Sequence, residues 1–156
     1  MAYRIYLSSP NMSSNNNEMK FVKEAFDTNW IAPLGPNVTS FEQEVNQYVG
    51  ATNAVALSSG TAAIHMALKA AGVKKDDVVI CQSFTFSATA NPIIYEGAIP
   101  VFIDSDASHW NIDLELLEKA LTDYKNRVKA VMVVHLYGLP CQMDEIVTLC
   151  KKYQVT

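Results

Sequence analysis

Residues 53–72, NAVALSSGTAAIHMALKAAG, place a short apolar run directly before a small-residue turn and a helical pattern. The run Ala54–Leu57 predicts a strand, and the turn Ser58–Thr61 follows it. Apolar residues then recur every three or four positions, which predicts a helix over Thr61–Ala71 that Gly72 ends. A strand that passes through such a turn into a helix leaves amide N–H groups free at the positive end of the helix dipole. This stretch therefore predicts a strand–turn–helix unit that can bind a phosphate group.

The side chains of this turn have two interpretations. Ser58, Ser59 and Thr61 supply hydroxyl donors, and Gly60 lets an anion approach the backbone closely. The same residues are also ordinary helix caps, because Ser and Thr often satisfy the free N–H groups of a helix N-terminus. The sequence has no G-x-G-x-x-G and no G-x-x-x-x-G-K-[ST] pattern, which argues against dinucleotide and P-loop sites.

Composition and net charge argue against several classes of protein. The chain has 156 residues, of which 49% are apolar and 18% charged, and its net charge is −4. These values suit one globular unit, and the scattered basic residues argue against a nucleic-acid partner. No apolar run is long enough to cross a membrane and no signal-peptide pattern is present, so we expect a cytoplasmic protein. Three cysteines without C-x-x-C spacing predict reduced thiols and no metal site.

Strand and helix patterns alternate along the rest of the chain. Further strands are predicted at Val78–Gln82, Val101–Asp104 and Ala130–His135. Helices are predicted at Glu18–Asn29, at Ser40–Val49 with a capping box of Thr39 and Glu42, at Ser87–Tyr95, from an Asp113 cap to Tyr124, and at Gln142–Tyr153. This alternation predicts an α/β fold with a mainly parallel sheet and helices on both faces. Ligands of such sheets bind at the carboxyl ends of the strands, where Ser58–Thr61, Ser83–Phe86 and Leu136–Pro140 fall.

Two of these segments carry side chains of uncertain role. Phe84 or Phe86 could stack on a flat cofactor ring, or both rings could belong to the core. His135 could be a polar wall, an acid–base group or a structural histidine. We expect His65 to be structural and His109 to lie on a surface loop.

Five segments, in this order and spacing, resemble the pyridoxal-phosphate-dependent nucleotide-sugar aminotransferases, which have the aspartate-aminotransferase fold. The segments are NWIAPLGPNVTSFEQEV at 29–45, ALSSGTAAIHMAL at 56–68, SFTFSATANPI at 83–93, GAIPVFIDSD at 97–106 and HLYGLP at 135–140. The resemblance extends over residues 5–156. Within the family, NWIAPLG is most similar to enzymes that aminate UDP-linked 4-keto sugars on the route to bacillosamine. The resemblance implies the N-terminal part of the large domain of a fold-type I enzyme that uses pyridoxal 5'-phosphate.

The resemblance also implies roles for the matching residues. Gly60, Thr61 and Ala62 match the turn that binds the cofactor phosphate, and Phe86 matches the aromatic residue that stacks on the pyridine ring. A loop that lines the sugar-nucleotide pocket, bordered by Gly60, is matched by Asn29, Trp30, Ile31 and Ala32. His135 and Tyr137 match a motif to which we assign no chemical role. The implied domains are an N-terminal helix with a substrate-side loop at 1–38 and an incomplete cofactor-binding domain at 39–156.

Two functional groups of the family match no residue of this chain. By the resemblance, the aspartate that pairs with the pyridine nitrogen lies on a strand that Val155 and Thr156 begin, and the Schiff-base lysine lies further on. We therefore expect an N-terminal fragment that contains no catalytic residue and is inactive alone. We also expect an unpaired sheet edge at these last residues, which favours self-association.

The implied reaction moves an amino group, from glutamate, to a keto group of a nucleotide-linked sugar, for surface glycan or glycoprotein sugar synthesis. The resemblance implies a homodimeric parent enzyme without a nucleic-acid or membrane partner. Two alternatives stay open: a non-catalytic α/β module that binds a phosphate or nucleotide, and a scaffold with no ligand.

Overall fold

The computed structural model describes residues 11–156, so residues 5–10 of the proposed resemblance lie outside it. The chain divides into two compact units, Met1–Ala56 and Leu57–Thr156. The predicted functional division at residue 38 stays a prediction. Within the described residues, no helix is both long and apolar enough to cross a membrane. The three cysteines are free in this structure, and Cys81 and Cys141 are buried.

The described part of the first unit contains two helices, α1 at Asn17–Asp27 and α2 at Pro36–Val49. The predicted start of α2 at Ser40 is wrong, because proline is favoured in the first turn of a helix, where its missing N–H has no partner to lose. The capping box is wrong as well: Glu42 Oε1 instead accepts a hydrogen bond from the Ala56 N–H at 2.8 Å. Gly50 follows α2 with a φ of 66°, the left-handed conformation expected of a C-terminal cap.

The predicted strand Ala54–Leu57 is also wrong, since no strand includes these residues in the described part of the chain. A strand forms only where a neighbouring strand completes its ladder of hydrogen bonds. Here the N–H of Ala56 donates to the Glu42 side chain, and the Val55 side chain is 74% exposed. The apolar run Ala54–Leu57 is therefore an irregular segment that precedes the next helix.

The second unit contains a three-stranded parallel sheet and four α-helices. Its elements, in chain order, are α3 Gly60–Ala70, β1 Val78–Gln82, α4 Asn91–Tyr95, β2 Ile99–Ile103, α5 Leu114–Tyr124, β3 Val128–Met132 and α6 Met143–Tyr153. The strand order is β2-β1-β3, and both pairings are parallel. Every residue of the central strand β1 is buried, because this strand is covered on both faces.

Two apolar cores cover the two faces of the sheet. The core that includes α5 and α6 is built around Ile80, Ile112, Leu117, Leu121 and Ile146. The core that includes α3 and α4 is built around Leu68, Val79, Cys81, Ile93 and Ala98. Successive residues of β1 thus point into alternate cores. This arrangement confirms the predicted α/β fold with helices on both faces of a parallel sheet.

Several predicted bounds need correction. The predicted helix Ser87–Tyr95 is a short 3-10 turn at Ser87–Thr89 followed by α4, because Pro92 has no N–H to continue a helical ladder from the preceding turn. β2 and β3 each begin two residues before their predicted starts and also end earlier. Asp113 caps α5 as predicted, because its carboxylate accepts a hydrogen bond from the Leu116 N–H at 2.9 Å.

Thr156 lies beside β3. Its N–H donates to the Lys129 carbonyl at 3.4 Å, and its carbonyl accepts from the Val131 N–H at 2.8 Å. In a parallel strand pair, one residue hydrogen-bonds to the two residues that flank its partner on the neighbouring strand. The pairing agrees with the predicted start of a further strand at Val155 and Thr156.

Candidate functional site

The turn that begins α3 presents unused backbone donors. Ser59 caps the helix: its Oγ accepts from the Ala62 N–H at 3.2 Å and its carbonyl accepts from the Ala63 N–H at 3.0 Å. The N–H groups of Gly60 and Thr61 have no protein acceptor among residues 11–156. Both N–H groups lie in the first helical turn, where the helix dipole is positive. The two interpretations of this turn are therefore compatible, since the cap leaves two donors for an anion.

Gly60 also leaves space for such an anion. A methyl group placed on its Cα would meet no atom within 4 Å, and its φ is not in the left-handed region. Glycine is therefore not required here by backbone strain or by packing within the described chain. The close approach of a ligand to the backbone is a physical reason for a glycine at this position.

The turn after β1 presents two phenylalanine rings in different surroundings. Phe84 contacts Trp110, with 5.9 Å between ring centroids, and Tyr137, with 6.3 Å. Phe86 is 82% exposed, so its ring does not belong to the core of this unit. An exposed ring on a folded turn is available for stacking on a flat ligand.

Gln82, the last residue of β1, holds this turn. Its side chain is fully buried, and Nε2 donates to the Phe84 carbonyl at 3.1 Å. Oε1 accepts from the Val134 N–H at 3.0 Å. The Ser83 N–H also donates to the Ile103 carbonyl at 2.8 Å. Bonds to the end of β2 and to the segment after β3 therefore fix the backbone that carries the aromatic residues.

A second buried amide holds the loop after β3. Asn111 is 1% exposed, and its Nδ2 lies within hydrogen-bond distance of the carbonyls of Leu139 and Pro140, at 3.0 and 3.2 Å. Its Oδ1 accepts from the Leu136 N–H at 3.1 Å. Tyr137 lies within this loop at a φ of 51°, a left-handed conformation that non-glycine residues seldom adopt. Asn111 thus supports a strained loop at the carboxyl edge of the sheet.

Neither Gln82 nor Asn111 belongs to a sequence motif that indicates a role. A signal was present for the glutamine, since it ends the otherwise apolar strand VVICQ. A buried amide must be hydrogen-bonded, so its presence in such a strand indicates a fixed polar contact.

The histidines have mainly structural contacts. His135 Nδ1 accepts from the Cys141 N–H at 3.1 Å, which favours a structural role for this ring nitrogen. His65 Nε2 lies 2.5 Å from Glu96 Oε1 and links α3 to the end of α4, in agreement with its expected structural role. The Lys69 ammonium and His65 lower the pKa of the Glu96 carboxyl.

The predicted substrate-side residues lie in the first unit, in the loop between α1 and α2. Asn29 has a φ of 58°, and the Trp30 N–H donates to the Ala25 carbonyl at 2.8 Å. A cavity of about 150 Å³ is lined by Trp30, Ala32 and residues of both helices. Ile31 is 62% exposed. The loop therefore offers apolar surface beside a small cavity, and its role in substrate binding stays a prediction.

Similarity to known proteins identifies the family of this chain. Residues 12–156 match the DegT/DnrJ/EryC1/StrS aminotransferase family. The chain belongs to this family. EpsN of Bacillus subtilis, which is named as a pyridoxal phosphate-dependent aminotransferase, is 54% identical over 99% of this chain and 40% of its own length. GDP-perosamine synthase of Caulobacter vibrioides is 39% identical over 97% of this chain and 40% of its own length.

Solved structures of an aminotransferase confirm the fold. Spr1654 of Streptococcus pneumoniae, named as a sugar aminotransferase, has a TM-score of 0.86 in its PMP form, at 29% identity over 96% of this chain and 36% of its own. Its PLP form has a TM-score of 0.83 at 27% identity, over 96% of this chain and 37% of its own. The resemblance to fold-type I enzymes that use pyridoxal phosphate is thereby confirmed. The chain spans about two fifths of the length of the curated relatives it matches.

The residues of the second unit fit the cofactor of this family. Pyridoxal phosphate carries a phosphate dianion and a flat aromatic ring. Gly60 and Thr61 offer two free N–H groups, a positive helix end and open space for the phosphate. Phe86 offers an exposed ring.

Proposed function

We propose that this chain is the N-terminal, phosphate-binding part of an aminotransferase that moves an amino group from glutamate to a keto group of a nucleotide-linked sugar. The observation that carries the proposal is the pair of unpartnered N–H groups at the start of α3, in a chain of this aminotransferase family. Because the chain spans about two fifths of its curated relatives, the complete activity belongs to a longer protein.

Each site residue then has a distinct task. The backbone of Gly60, Thr61 and Ala62 binds the cofactor phosphate, and the Phe86 ring stacks on the cofactor ring. Pyridoxal phosphate supplies an electron sink when it is bound. The proton-carrying lysine and the aspartate partner of the pyridine nitrogen belong to the longer protein, so we expect residues 1–156 alone to lack turnover.

The substrate assignment rests on the loop between α1 and α2. Asn29, Trp30, Ile31 and Ala32 would line the sugar-nucleotide pocket. The name of the Caulobacter relative, which specifies a GDP-linked sugar, supports a nucleotide-linked substrate. The NWIAPLG segment favours a UDP-linked 4-keto sugar of the bacillosamine route. The proposed enzyme is a cytoplasmic homodimer.

The decisive experiment uses the longer protein and residues 1–156 in parallel. Each is incubated with pyridoxal phosphate, glutamate and a UDP-linked 4-keto sugar, and the aminated sugar is measured by mass spectrometry. We expect product from the longer protein only, and borohydride reduction should attach the cofactor to one lysine outside residues 1–156. A longer protein that binds the cofactor and transfers no amino group would instead support the non-catalytic alternative. Turnover by residues 1–156 alone would refute the division of catalytic groups.

A further inference from the structure

Gln82 is a polar side chain in the most buried strand of the protein. It ends β1, and its side chain is 0% exposed. Burying an amide away from water is unfavourable unless its donor and acceptor both find partners. Both groups of Gln82 find backbone partners, so its position is tightly defined.

These two partners belong to different loops at the carboxyl edge of the sheet. Nε2 donates to the carbonyl of Phe84, two residues before Phe86. Oε1 accepts from the N–H of Val134, next to His135. One side chain therefore fixes the aromatic turn relative to the segment that follows β3.

Phe86 depends on the backbone for its orientation. Its side chain is 82% exposed, so contacts with the protein do little to hold the ring. The Thr89 N–H donates to the Phe86 carbonyl at 2.9 Å, and the hydroxyls of Thr85 and Thr89 lie 2.8 Å apart. These bonds shape the turn itself, whereas Gln82 anchors it to the sheet.

We propose that Gln82 is a positioning residue for the cofactor: its amide holds the Phe84–Phe86 turn so that the Phe86 ring lies against the cofactor ring. The inference rests on the proposed function of the same site. The amide supplies the donor and the acceptor together, whereas an ionised carboxylate cannot donate and a thioether has no donor.

A double-mutant cycle in the longer protein tests whether Gln82 acts through Phe86. The affinity of the apoprotein for pyridoxal phosphate is measured by equilibrium dialysis for wild type, Gln82→Met, Phe86→Ala and the double variant. We expect Gln82→Met to weaken binding about tenfold when Phe86 is present and less than about twofold when it is absent. Equal losses in both backgrounds, or no loss in either, would overturn the proposal.

Val78→Ala is the matched control. Val78 is fully buried at the other end of β1, about 13 Å away at the usual rise per strand residue. The Val78→Ala substitution should lower stability and leave cofactor affinity within about twofold of wild type, as expected for distant sites. A comparable loss of affinity in this control would show that destabilisation alone explains the effect, and would overturn the role of Gln82.

Gln82→Glu supplies a second variant in case the methionine variant fails to fold. Because burial raises the pKa of a carboxyl, Gln82→Glu is compared with wild type at about pH 9 or above, where the glutamate ionises. The ionised glutamate keeps the acceptor for the Val134 N–H and loses the donor to Phe84. We expect weakened cofactor binding with unchanged hydrogen exchange at Val134 in the apoprotein. Faster exchange at Val134 with wild-type affinity would overturn the proposal. Wild-type protein that fails to bind pyridoxal phosphate would overturn the proposed function itself, and this inference with it.

Discussion

The backbone N–H of Cys141 donates a hydrogen bond to Nδ1 of His135, and the two nitrogens are 3.1 Å apart. A ring nitrogen that accepts a hydrogen bond carries no proton, so the neutral imidazole has its proton on Nε2. The bond spans the loop that contains Tyr137, whose φ is 51°. The histidine therefore closes a loop whose backbone is strained.

This bond predicts both a tautomer and a stability effect. Long-range nitrogen–proton NMR spectra at neutral pH should show a protonated Nε2 for His135. His135→Phe leaves the Cys141 N–H unpaired and should lower the free energy of unfolding by about 1–3 kcal/mol. His135→Asn places an amide oxygen near the position of Nδ1 and should recover part of this loss. A protonated Nδ1 in the neutral ring would contradict the assignment.

Gly60→Ala separates cofactor binding from folding. A methyl group at this position meets no atom within 4 Å, and alanine is the better helix former by up to about 1 kcal/mol. The free energy of unfolding should therefore stay equal or rise. The added methyl group occupies the space proposed for the phosphate, so the Kd of the longer protein for pyridoxal phosphate should rise by about tenfold or more.

Ala67→Gly is the control for the Gly60→Ala experiment, because residue 67 lies inside α3 and away from the turn that begins the helix. It should lower stability by about 1 kcal/mol and leave cofactor affinity unchanged. Unaltered cofactor affinity in Gly60→Ala would place the phosphate elsewhere.

The fold was predictable wherever a short stretch of sequence determines the local structure. β1 matches its predicted bounds because four consecutive apolar residues, Val78–Cys81, form a local run that Gln82 ends. α5 begins after Asp113 because the cap is local, three residues from its donor. The Ala54–Leu57 prediction failed because a strand also needs a partner, which a local pattern does not contain.

The site was predictable only in part for the same reason. The turn at Gly60 and the ring of Phe86 are recognisable from contiguous motifs. Gln82 and Asn111 act through partners 52 and 28 residues away in sequence. No periodicity or motif connects residues at such separations, so their roles became visible only in the folded chain.

Asn111 should prove essential to the loop after β3. Asn111→Leu removes the partners of the Leu136 N–H and of two carbonyls, at Leu139 and Pro140. Because the loop is partly exposed, water can replace some of these bonds, so we expect a loss of about 2–4 kcal/mol in urea unfolding. Hydrogen exchange at Leu136 should accelerate. Asn111→Asp keeps the acceptor for Leu136, so exchange at that amide should change less.

The ion pair between α3 and α4 predicts an acid-sensitive contribution to stability. The Lys69 ammonium, 3.1 Å from Glu96 Oε1, and then His65 lower the pKa of the Glu96 carboxyl. A carboxyl whose pKa is lower in the folded state stabilises the fold above its unfolded pKa, and this contribution disappears as the pH falls through the folded value. Glu96→Gln should therefore be less stable than wild type at pH 7. In acid, below the pKa of Glu96 in the folded state, the contribution of the Glu96 charge should vanish. The difference in the free energy of unfolding between wild type and Glu96→Gln should then shrink.

Cys81 predicts the opposite dependence at alkaline pH. Burial raises the pKa of its thiol from 9.0 to about 11. The folded state therefore keeps the proton more tightly than the unfolded state, so the contribution to stability is complete below pH 9 and is lost as the pH rises to about 11. This loss should amount to about 2 kcal/mol. Unfolding of wild type and Cys81→Ala, compared from pH 8 to pH 11, isolates this effect because the other titrating groups are common to both chains. Parallel stability curves for the two proteins, or rapid alkylation of Cys81 in the folded chain at pH 8, would contradict a thiol held neutral in the core.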